Sequence, residues 1–261
     1  MDLGIRGKVA LITGASEGLG LAAARALAGE GAEIAIAARR PERLKAAAEE
    51  ICAATGAEVL ALPADAADPE QAGNLVSEVS ARLGPVEILV ANVGGPRPGR
   101  FGDFAWNDWV EAFAAIVGPL HHLVRAALPA MKESLWGRIV SIQSVSVRQP
   151  VDSLILSNSI RPAAAALVKA LAAELAPSGI TVNVVGPGPA RTGRILELGR
   201  FRSPEADDDE LARTLGDGLP IRRLVEPDEV AAAIAYLCSA QAAAVTGMFF
   251  PVDGGTIRGQ M

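Results

Sequence analysis

Residues 13–20 read Thr13-Gly14-Ala15-Ser16-Glu17-Gly18-Leu19-Gly20, and this stretch decides the fold. It follows an apolar run, Val9–Ile12, which is typical of a buried parallel strand. It precedes Leu21–Gly29, an alanine- and leucine-rich segment typical of a helix. Glycines let the backbone turn sharply and approach a pyrophosphate, and a helix N-terminus offers unpaired N–H donors. A strand, three glycines and a helix start together predict a site for a dinucleotide.

The composition is that of a chain able to bury a sizeable core. Half of the 261 residues are apolar and the mean hydropathy is +0.30. We find no linker or repeat and expect residues 1–261 to form a single domain. The net charge of −6 argues against nucleic acid as a general partner.

Targeting and metal-binding signals are not evident in the sequence. No run approaches the roughly 18 apolar residues of a membrane span, and the start does not resemble a signal peptide. Cys52 and Cys238 are far apart and are expected to be buried thiols in a reducing compartment. We therefore expect a cytoplasmic protein with no membrane partner and no metal site.

Strand and helix signals alternate along the chain, which predicts an α/β fold with a doubly wound parallel sheet, Rossmann-like. A helical stretch over Trp106–Lys132 is expected to be interrupted at Gly118-Pro119. The polar segment 192–218 has few apolar anchors and is expected to form a mobile lid. The predicted strands are 9–12, 33–38, 59–62, 88–91, 138–142, 181–185 and 248–252. Ligands of such folds bind at the carboxyl ends of the strands.

Further motifs accompany the glycine loop. They are Asp65 after the third strand, Asn92-Val93-Gly94-Gly95 after the fourth, Gly137-Arg138-Ile139-Val140 leading to Ser144, Pro187-Gly188 with Thr192, and Val252-Asp253-Gly254-Gly255. With these motifs, nearly the full length of the chain resembles the short-chain dehydrogenases/reductases, in particular their 3-oxoacyl-carrier-protein reductase-like branch. The resemblance implies hydride transfer between a nicotinamide ring and a carbonyl or alcohol carbon.

The resemblance also implies a site built from an Asn, a Ser, and a Tyr followed four residues later by a Lys. Alignment on the flanking motifs places Ser144 at the Ser position, but Ser157 at the Tyr position and Arg161 at the Lys position. The Asn position falls on Ile116. Three of the four groups are therefore replaced, and Tyr236, the one tyrosine of the chain, is expected far from the nicotinamide.

The replacements remove the family's usual proton relay. An aliphatic hydroxyl does not ionise as a phenol with a pKa of about 10 does, and arginine hardly deprotonates at neutral pH. Arg161 could still bind the nicotinamide ribose and stabilise a developing alkoxide, with Ser144 and Ser157 as further donors. We predict these three residues to be catalytic. The alternatives are a catalytically silent dinucleotide-binding subunit or sensor, and a dehydration or isomerisation in the same cleft.

Pro162 directly follows Arg161 and bears on the helix that would carry the site. A proline inside a helix removes one N–H and frees the carbonyl four residues earlier, here that of Asn158. That carbonyl could bind substrate or water. The other reading, which we favour, is that Pro162 marks a delayed helix start.

The residues after the second strand bear on cofactor choice. Ala38 stands where NAD-preferring relatives commonly have an Asp, and Arg39 and Arg40 follow, which favours the 2′-phosphate of NADP. Glu17, inside the glycine loop, argues against this, and NAD is possible. Asp65 with Ala66 is expected at the adenine, Asn92 with Gly94 at the adenosine ribose, and Thr192 at the carboxamide. The predicted cofactor-binding residues are Gly14, Ser16, Gly18, Leu19, Gly20, Arg39, Arg40, Asp65, Ala66, Asn92, Gly94, Arg161, Pro187 and Thr192.

Several arginines fall in segments expected to border the cleft. They are Arg97, Arg100, Arg148, Arg161, Arg191 and Arg194. On an acidic chain they suggest an anionic substrate, such as a carboxylate, a CoA thioester or an acidic carrier protein; ordinary surface charge is the alternative. Apolar surface on Trp106–Lys132 and Ser159–Leu175 predicts a homo-oligomer, and the family resemblance implies a tetramer.

Overall fold

Seven parallel strands form one sheet at the centre of the chain. A computed structural model describes residues 2–203 and 205–259, so Pro204 of the expected lid segment lies outside the described residues, as do Met1, Gln260 and Met261. The strand order β3-β2-β1-β4-β5-β6-β7 confirms the predicted doubly wound α/β fold. The strands are β1 Val9–Thr13, β2 Glu33–Ala38, β3 Val59–Pro63, β4 Ile88–Asn92, β5 Gly137–Ile142, β6 Ile180–Pro187 and β7 Phe249–Val252.

Helices connect the strands and cover both faces of the sheet. They are α1 Gly18–Gly29, α2 Pro41–Thr55, α3 Pro69–Arg82, α4 Trp106–Glu133, α5 Ile155–Leu175, α6 Gly193–Arg202, α7 Asp208–Asp217 and α8 Pro227–Cys238. Helices α2, α3 and α8 begin with proline, where the missing N–H costs no helical hydrogen bond. Asp68 caps α3 by accepting hydrogen bonds from the amides of Glu70 and Gln71.

Two apolar layers sandwich the sheet because strand side chains alternate between its faces. On one face Ile12 and Ile34 pack with Leu27 of α1 and Ile234 of α8. The opposite face packs against α3, α4 and α5, with Leu11, Val79, Leu123 and Val168 among its fully buried side chains. Both faces of the strands are therefore covered, and the exposed edge of interest is the carboxyl end of the sheet.

The expected interruption of the helix at Gly118-Pro119 is wrong, because α4 runs without a break from Trp106 to Glu133. Burial of Ile116, Leu120 and Leu123 stabilises the helix across Pro119, despite the lost hydrogen bond. Helix α4 is long and apolar enough to span a bilayer by length and composition alone, but a core helix passes the same test. Its buried face packs in the core.

Two further expectations are corrected by the structure, and a third stays a prediction. Helix α5 begins at Ile155, so Pro162 lies inside it and does not mark a delayed start. Within the 192–218 segment, α6 and α7 share a small apolar cluster that includes Ile195, Leu196 and Ala212, and the mobility of this segment as a lid stays a prediction. Cys52 is exposed, whereas Cys238 is buried, and burial raises the pKa of its thiol to about 12.

Candidate active site

A cavity of about 870 Å³ opens at the carboxyl ends of the strands. Its volume falls in the upper part of the range typical of small-molecule and cofactor sites. The walls come from the segments that follow β1 through β6, together with α4, α5 and α6. This is the edge at which doubly wound sheets bind ligands, so the cavity is the candidate site.

The glycine loop has the geometry that a phosphate group requires. Gly14 and Gly18 have φ angles of 58° and 60°, a region that disfavours side chains. A β-carbon on Gly20 would lie 2.3 Å from the carbonyl oxygen of Gly14, so only glycine allows this close approach. No side chain caps the N-terminus of α1. Its amides are available to an anion, and the loop therefore fits a dinucleotide pyrophosphate.

Asn92 fixes the loop to the neighbouring strand. Its side-chain Nδ2 donates to the carbonyl oxygen of Gly14 at 3.0 Å, and the Thr13 hydroxyl donates to the carbonyl oxygen of Asn92 at 3.0 Å. The predicted contact of Asn92 with the adenosine ribose stays a prediction, but its side chain also has this structural role.

Fifteen of the sixteen predicted site residues lie on the cavity wall. The exception is Gly20, which packs beneath the loop against Gly14. The residues that line the cavity are Gly14, Ser16, Gly18, Leu19, Arg39, Arg40, Asp65, Ala66, Asn92, Gly94, Ser144, Ser157, Arg161, Pro187 and Thr192.

Glu17 affects which arginine side chains near the end of β2 can bind a phosphate group. Its carboxylate forms ion pairs with Arg40 at 3.0 Å and Arg43 at 2.6 Å. No hydrogen bond or ion pair of Arg39 is found within the described part of the chain. The positive charge of Arg40 is thus partly neutralised, and Arg39 is the better placed of the two predicted residues to bind a 2′-phosphate.

Arg161 is the centre of a buried polar network. Its side chain is on α5, one turn after Ser157, and the residue is 7% exposed. The Nε atom donates to the Ser157 hydroxyl at 3.2 Å. The Nη1 atom donates to the backbone oxygen of Gln143 at 3.0 Å and to its side-chain Oε1 at 3.2 Å. Three of its five N–H donors are therefore engaged, all by neutral acceptors.

Burial and, to a smaller extent, the nearby positive charge of Arg194 together lower the pKa of Arg161 to about 10. The guanidinium is still protonated at neutral pH. Among the described residues, no carboxylate forms an ion pair with it. A buried cation without a paired anion is costly, and such groups mark functional sites.

Ser146 and Gln143 belong to this network and were not identified from the sequence. The hydroxyls of Ser146 and Ser157 are 3.2 Å apart, and the Ser144 hydroxyl accepts a hydrogen bond from the Ser146 amide at 3.1 Å. Gln143 also donates from Nε2 to the Ser141 hydroxyl at 2.7 Å. Ser146 lies in the short 3-10 turn at Val145–Val147, which a strand or helix pattern does not reveal, and Gln143 directly follows β5.

Ile116 and Tyr236 concern the proton relay that the family resemblance implies. Ile116, at the family's Asn position, is buried and lines the cavity with an apolar side chain. Tyr236 is on α8 and is not part of the cavity wall. The polar groups at Ser157 are its own hydroxyl, the hydroxyl of Ser146 and the guanidinium of Arg161.

Half of the expected arginine cluster is not at the cavity. Arg97, Arg161 and Arg194 line it, as predicted, but the expectation is wrong for the other three. Arg191 forms an ion pair with Glu226, and Arg148 stacks on Phe249. Arg100 likewise lies off the wall.

No group of three or more His, Cys, Asp or Glu side chains among residues 2–203 and 205–259 could hold a metal ion.

Comparison with known proteins extends over nearly the whole chain. A family model described as enoyl-(acyl carrier protein) reductase matches residues 14–256. An uncharacterized oxidoreductase of Mycobacterium tuberculosis is 36% identical over 249 residues, which cover 95% of this chain and 91% of that protein.

Solved structures agree with this assignment. The L-sorbose reductase of Gluconobacter frateurii, solved with NADPH and L-sorbose, superposes with a TM-score of 0.94 at 32% identity and covers 100% of both chains. A short-chain oxidoreductase of Pseudomonas aeruginosa, described as containing an atypical catalytic center, gives 0.91 at 30% identity and covers 98% of this chain and 100% of that one. Sequence, sheet order and glycine loop thus agree, and the chain belongs to the short-chain dehydrogenases/reductases, a family of NAD(P)-dependent oxidoreductases.

Proposed function

We propose that this protein is an NADP-dependent oxidoreductase that transfers a hydride between nicotinamide and a carbonyl or alcohol carbon at a Ser144/Ser157/Arg161 site. The observation that carries the proposal is the buried, protonated Arg161 on the wall of a cavity whose other end is the glycine loop. The candidate substrates are 3-oxoacyl compounds or other anionic ketones.

The chain's own residues supply binding and charge stabilisation. Bound NADPH would supply the hydride. Loop 13–20 would hold its pyrophosphate, and Arg39 its 2′-phosphate. The guanidinium of Arg161 would stabilise the negative charge that develops on the substrate oxygen, and Ser144 would donate a hydrogen bond to it. The Ser157–Ser146 hydroxyl pair would relay a proton from water, which replaces direct donation by a phenol.

The test combines cofactor binding with turnover. NADPH fluorescence titration is expected to show binding, and oxidation of NADPH is expected with at least one ketone from a panel of 3-oxo acids, 3-oxoacyl thioesters and neutral ketones. Binding without turnover on the whole panel would favour the silent subunit. If the folded protein binds neither NADPH nor NADH, both the oxidoreductase and the silent subunit are refuted.

Glu17 is predicted to limit the preference for NADP. In Glu17→Gln the carboxylate no longer neutralises Arg40 and Arg43, so the affinity for NADPH is expected to rise by about two- to five-fold and that for NADH to stay unchanged, since exposed ion pairs are weak. Dissociation constants from fluorescence titration measure this. Glu42→Gln, an exposed carboxylate in the first turn of α2, is the control. Equal effects of the two variants would contradict the prediction.

We also propose that the protein is a homo-oligomer that uses α4. Trp106, Val110 and Phe113 repeat at helical spacing, and each is at least half exposed. Trp106 is the most exposed of the three, at 77%. An exposed apolar stripe of this kind is typical of an interaction surface.

Phe113→Lys is therefore expected to lower the oligomer mass, because a charge cannot be buried in an apolar interface without a partner. Light scattering after size exclusion measures the mass, with the family's tetramer as the expected state. Leu135→Lys, an exposed apolar residue outside the stripe, is expected to leave the mass unchanged. A monomeric wild type, or an unchanged Phe113→Lys oligomer, would exclude this surface.

A further inference from the structure

Two guanidinium groups meet at one point of the cavity wall, beside Gly95. A β-carbon built on Gly95 would be 3.3 Å from Nη2 of Arg194 and 3.5 Å from Nη2 of Arg161. The two nitrogen atoms are therefore no more than about 7 Å apart. Glycine has no side chain that would separate the two guanidinium groups here, and Gly95, Arg161 and Arg194 all line the same cavity.

The donors at this point are not all used within the protein. Nη2 of Arg161 carries the two N–H groups that lack a partner in the described structure, and it is not among the fully enclosed unpaired atoms. Because Arg161 and the neighbouring Gly95 both line the cavity, this nitrogen faces it. Arg194 donates from Nη1 to Glu197 at 2.9 Å and from Nη2 to the backbone oxygen of Pro96. Those contacts fix the Arg194 side chain in place and leave part of its Nη2 donor capacity.

Arg138, the other buried arginine among the described residues, shows the difference. It donates to three backbone carbonyl oxygens, those of Gly137, Gly179 and Ser239, and its guanidinium stacks on Trp136. It does not line the cavity. Both arginines therefore use Nε and Nη1 within the fold. Arg138 is stacked on an aromatic ring away from the cavity, whereas Arg161 lies on the cavity wall with its unpaired Nη2 beside a second arginine.

We propose, on the basis of the proposed function, that Arg161 and Arg194 bind the carboxylate of a compact oxo acid next to its reacting carbonyl. One carboxylate can place an oxygen on each guanidinium at normal hydrogen-bond length. The same Arg161 side chain binds the Ser157 hydroxyl through Nε, so a carbonyl one or two carbons from the carboxylate reaches the serine hydroxyls. A thioester lacks the negative charge at this position, which makes the free 2-oxo or 3-oxo acid the better substrate.

The reaction needs the oxo acid, NADPH and one proton from solvent water. Bound NADPH would supply a hydride to the carbonyl carbon, and the π-electron pair of the C=O bond would move to oxygen. The oxygen would take the solvent proton, which gives a hydroxy acid and NADP⁺.

The first experiment compares 3-oxobutanoate with its methyl ester and its CoA thioester. Wild type is expected to show a kcat/KM about 10- to 100-fold higher for the free acid, the effect of a charge-assisted contact. Arg194→Gln is expected to remove this preference by raising KM for the acid, with the ester unaffected. Arg191→Gln, whose side chain pairs with Glu226 off the cavity wall, is the matched control. Equal use of ester and acid by wild type, or equal losses on both in Arg194→Gln, would overturn the proposal.

A second readout separates this proposal from the oxidoreductase function. Malonate carries carboxylates but no ketone, and its binding to NADP⁺-loaded protein is measured by calorimetry. Binding that weakens at least about 10-fold in Arg194→Gln but not in Arg191→Gln supports the carboxylate site even if no ketone is reduced. No malonate binding in a protein that reduces the ester would overturn the carboxylate site and leave the oxidoreductase function standing. A protein that neither binds malonate nor reduces any ketone would overturn both the carboxylate site and the oxidoreductase function.

Discussion

Arg161→Met is expected to lower kcat by about 10²- to 10³-fold, the usual loss when a positioned donor to a developing oxyanion is removed. Methionine is long and apolar and can follow the path of the arginine stem. The variant takes the positive charge from the site and leaves the Ser157 hydroxyl without its Nε donor. Folding stability is expected to change little, because removal of a buried charge without a paired anion offsets the loss of three hydrogen bonds, and no aromatic stacking is lost as it would be for Arg138. Steady-state kinetics and a thermal melt measure the two effects.

Arg138→Met is the matched control, since both arginines are buried and neither is paired with a carboxylate in the described structure. Loss of three hydrogen bonds to backbone carbonyls is expected to lower the melting temperature, while kcat per folded molecule stays at the wild-type level. If Arg161→Met kept its kcat within a few fold of wild type, the guanidinium would have no role in charge stabilisation.

Arg161→Lys tests whether activity requires the positive charge at this position or the forked donor geometry of the guanidinium. A lysine keeps the positive charge but has three donors on one nitrogen, and it cannot bind Ser157 and Gln143 in the same fork. Activity between that of wild type and Arg161→Met is therefore expected. Activity at the level of Arg161→Met would show that the forked geometry, and not the charge, is required.

The fold was predictable because its signals are local. Each strand is a short apolar run and each turn into a helix carries glycine or proline, so all seven strands were placed within one or two residues at each end. The grouping of Ser157 and Arg161 was also predictable, since side chains four residues apart share a helix face. Ser144 follows a strand that ends at the same edge of the sheet.

The features that the sequence did not reveal depend on tertiary contacts. Glu17 was read as an argument against NADP from its place in the glycine loop, but its ion pairs with Arg40 and Arg43 became visible only in the fold, where α2 lies beside the loop. The Gly118-Pro119 pair suggested a break in α4, but packing of the neighbouring residues overrides the helix-breaking tendency. The direction of an arginine in a loop is not set by local pattern, and therefore only half of the predicted cluster faces the cavity.

Gly20→Ala is expected to weaken NADPH binding by about 10- to 100-fold, equivalent to the loss of one charge-assisted hydrogen bond. The added methyl group would lie 2.3 Å from the carbonyl oxygen of Gly14 and 2.9 Å from Nδ2 of Asn92. Because these are backbone and fixed side-chain atoms, the loop and α1 must move apart. The amides at the start of α1 would then no longer converge on one pyrophosphate. Fluorescence titration with NADPH measures the change.

Gly29→Ala in the last turn of the same helix is the control, since a β-carbon there meets no atom within 4 Å. Alanine is the better helix former, so this variant is expected to bind NADPH normally and to be more stable by at most about 1 kcal/mol. Overpacking makes Gly20→Ala less stable by about 1–3 kcal/mol, and circular dichroism establishes the temperature at which both variants are folded. A folded Gly20→Ala that binds NADPH as tightly as Gly29→Ala would show that the close approach of α1 to Gly14 does not form the pyrophosphate site.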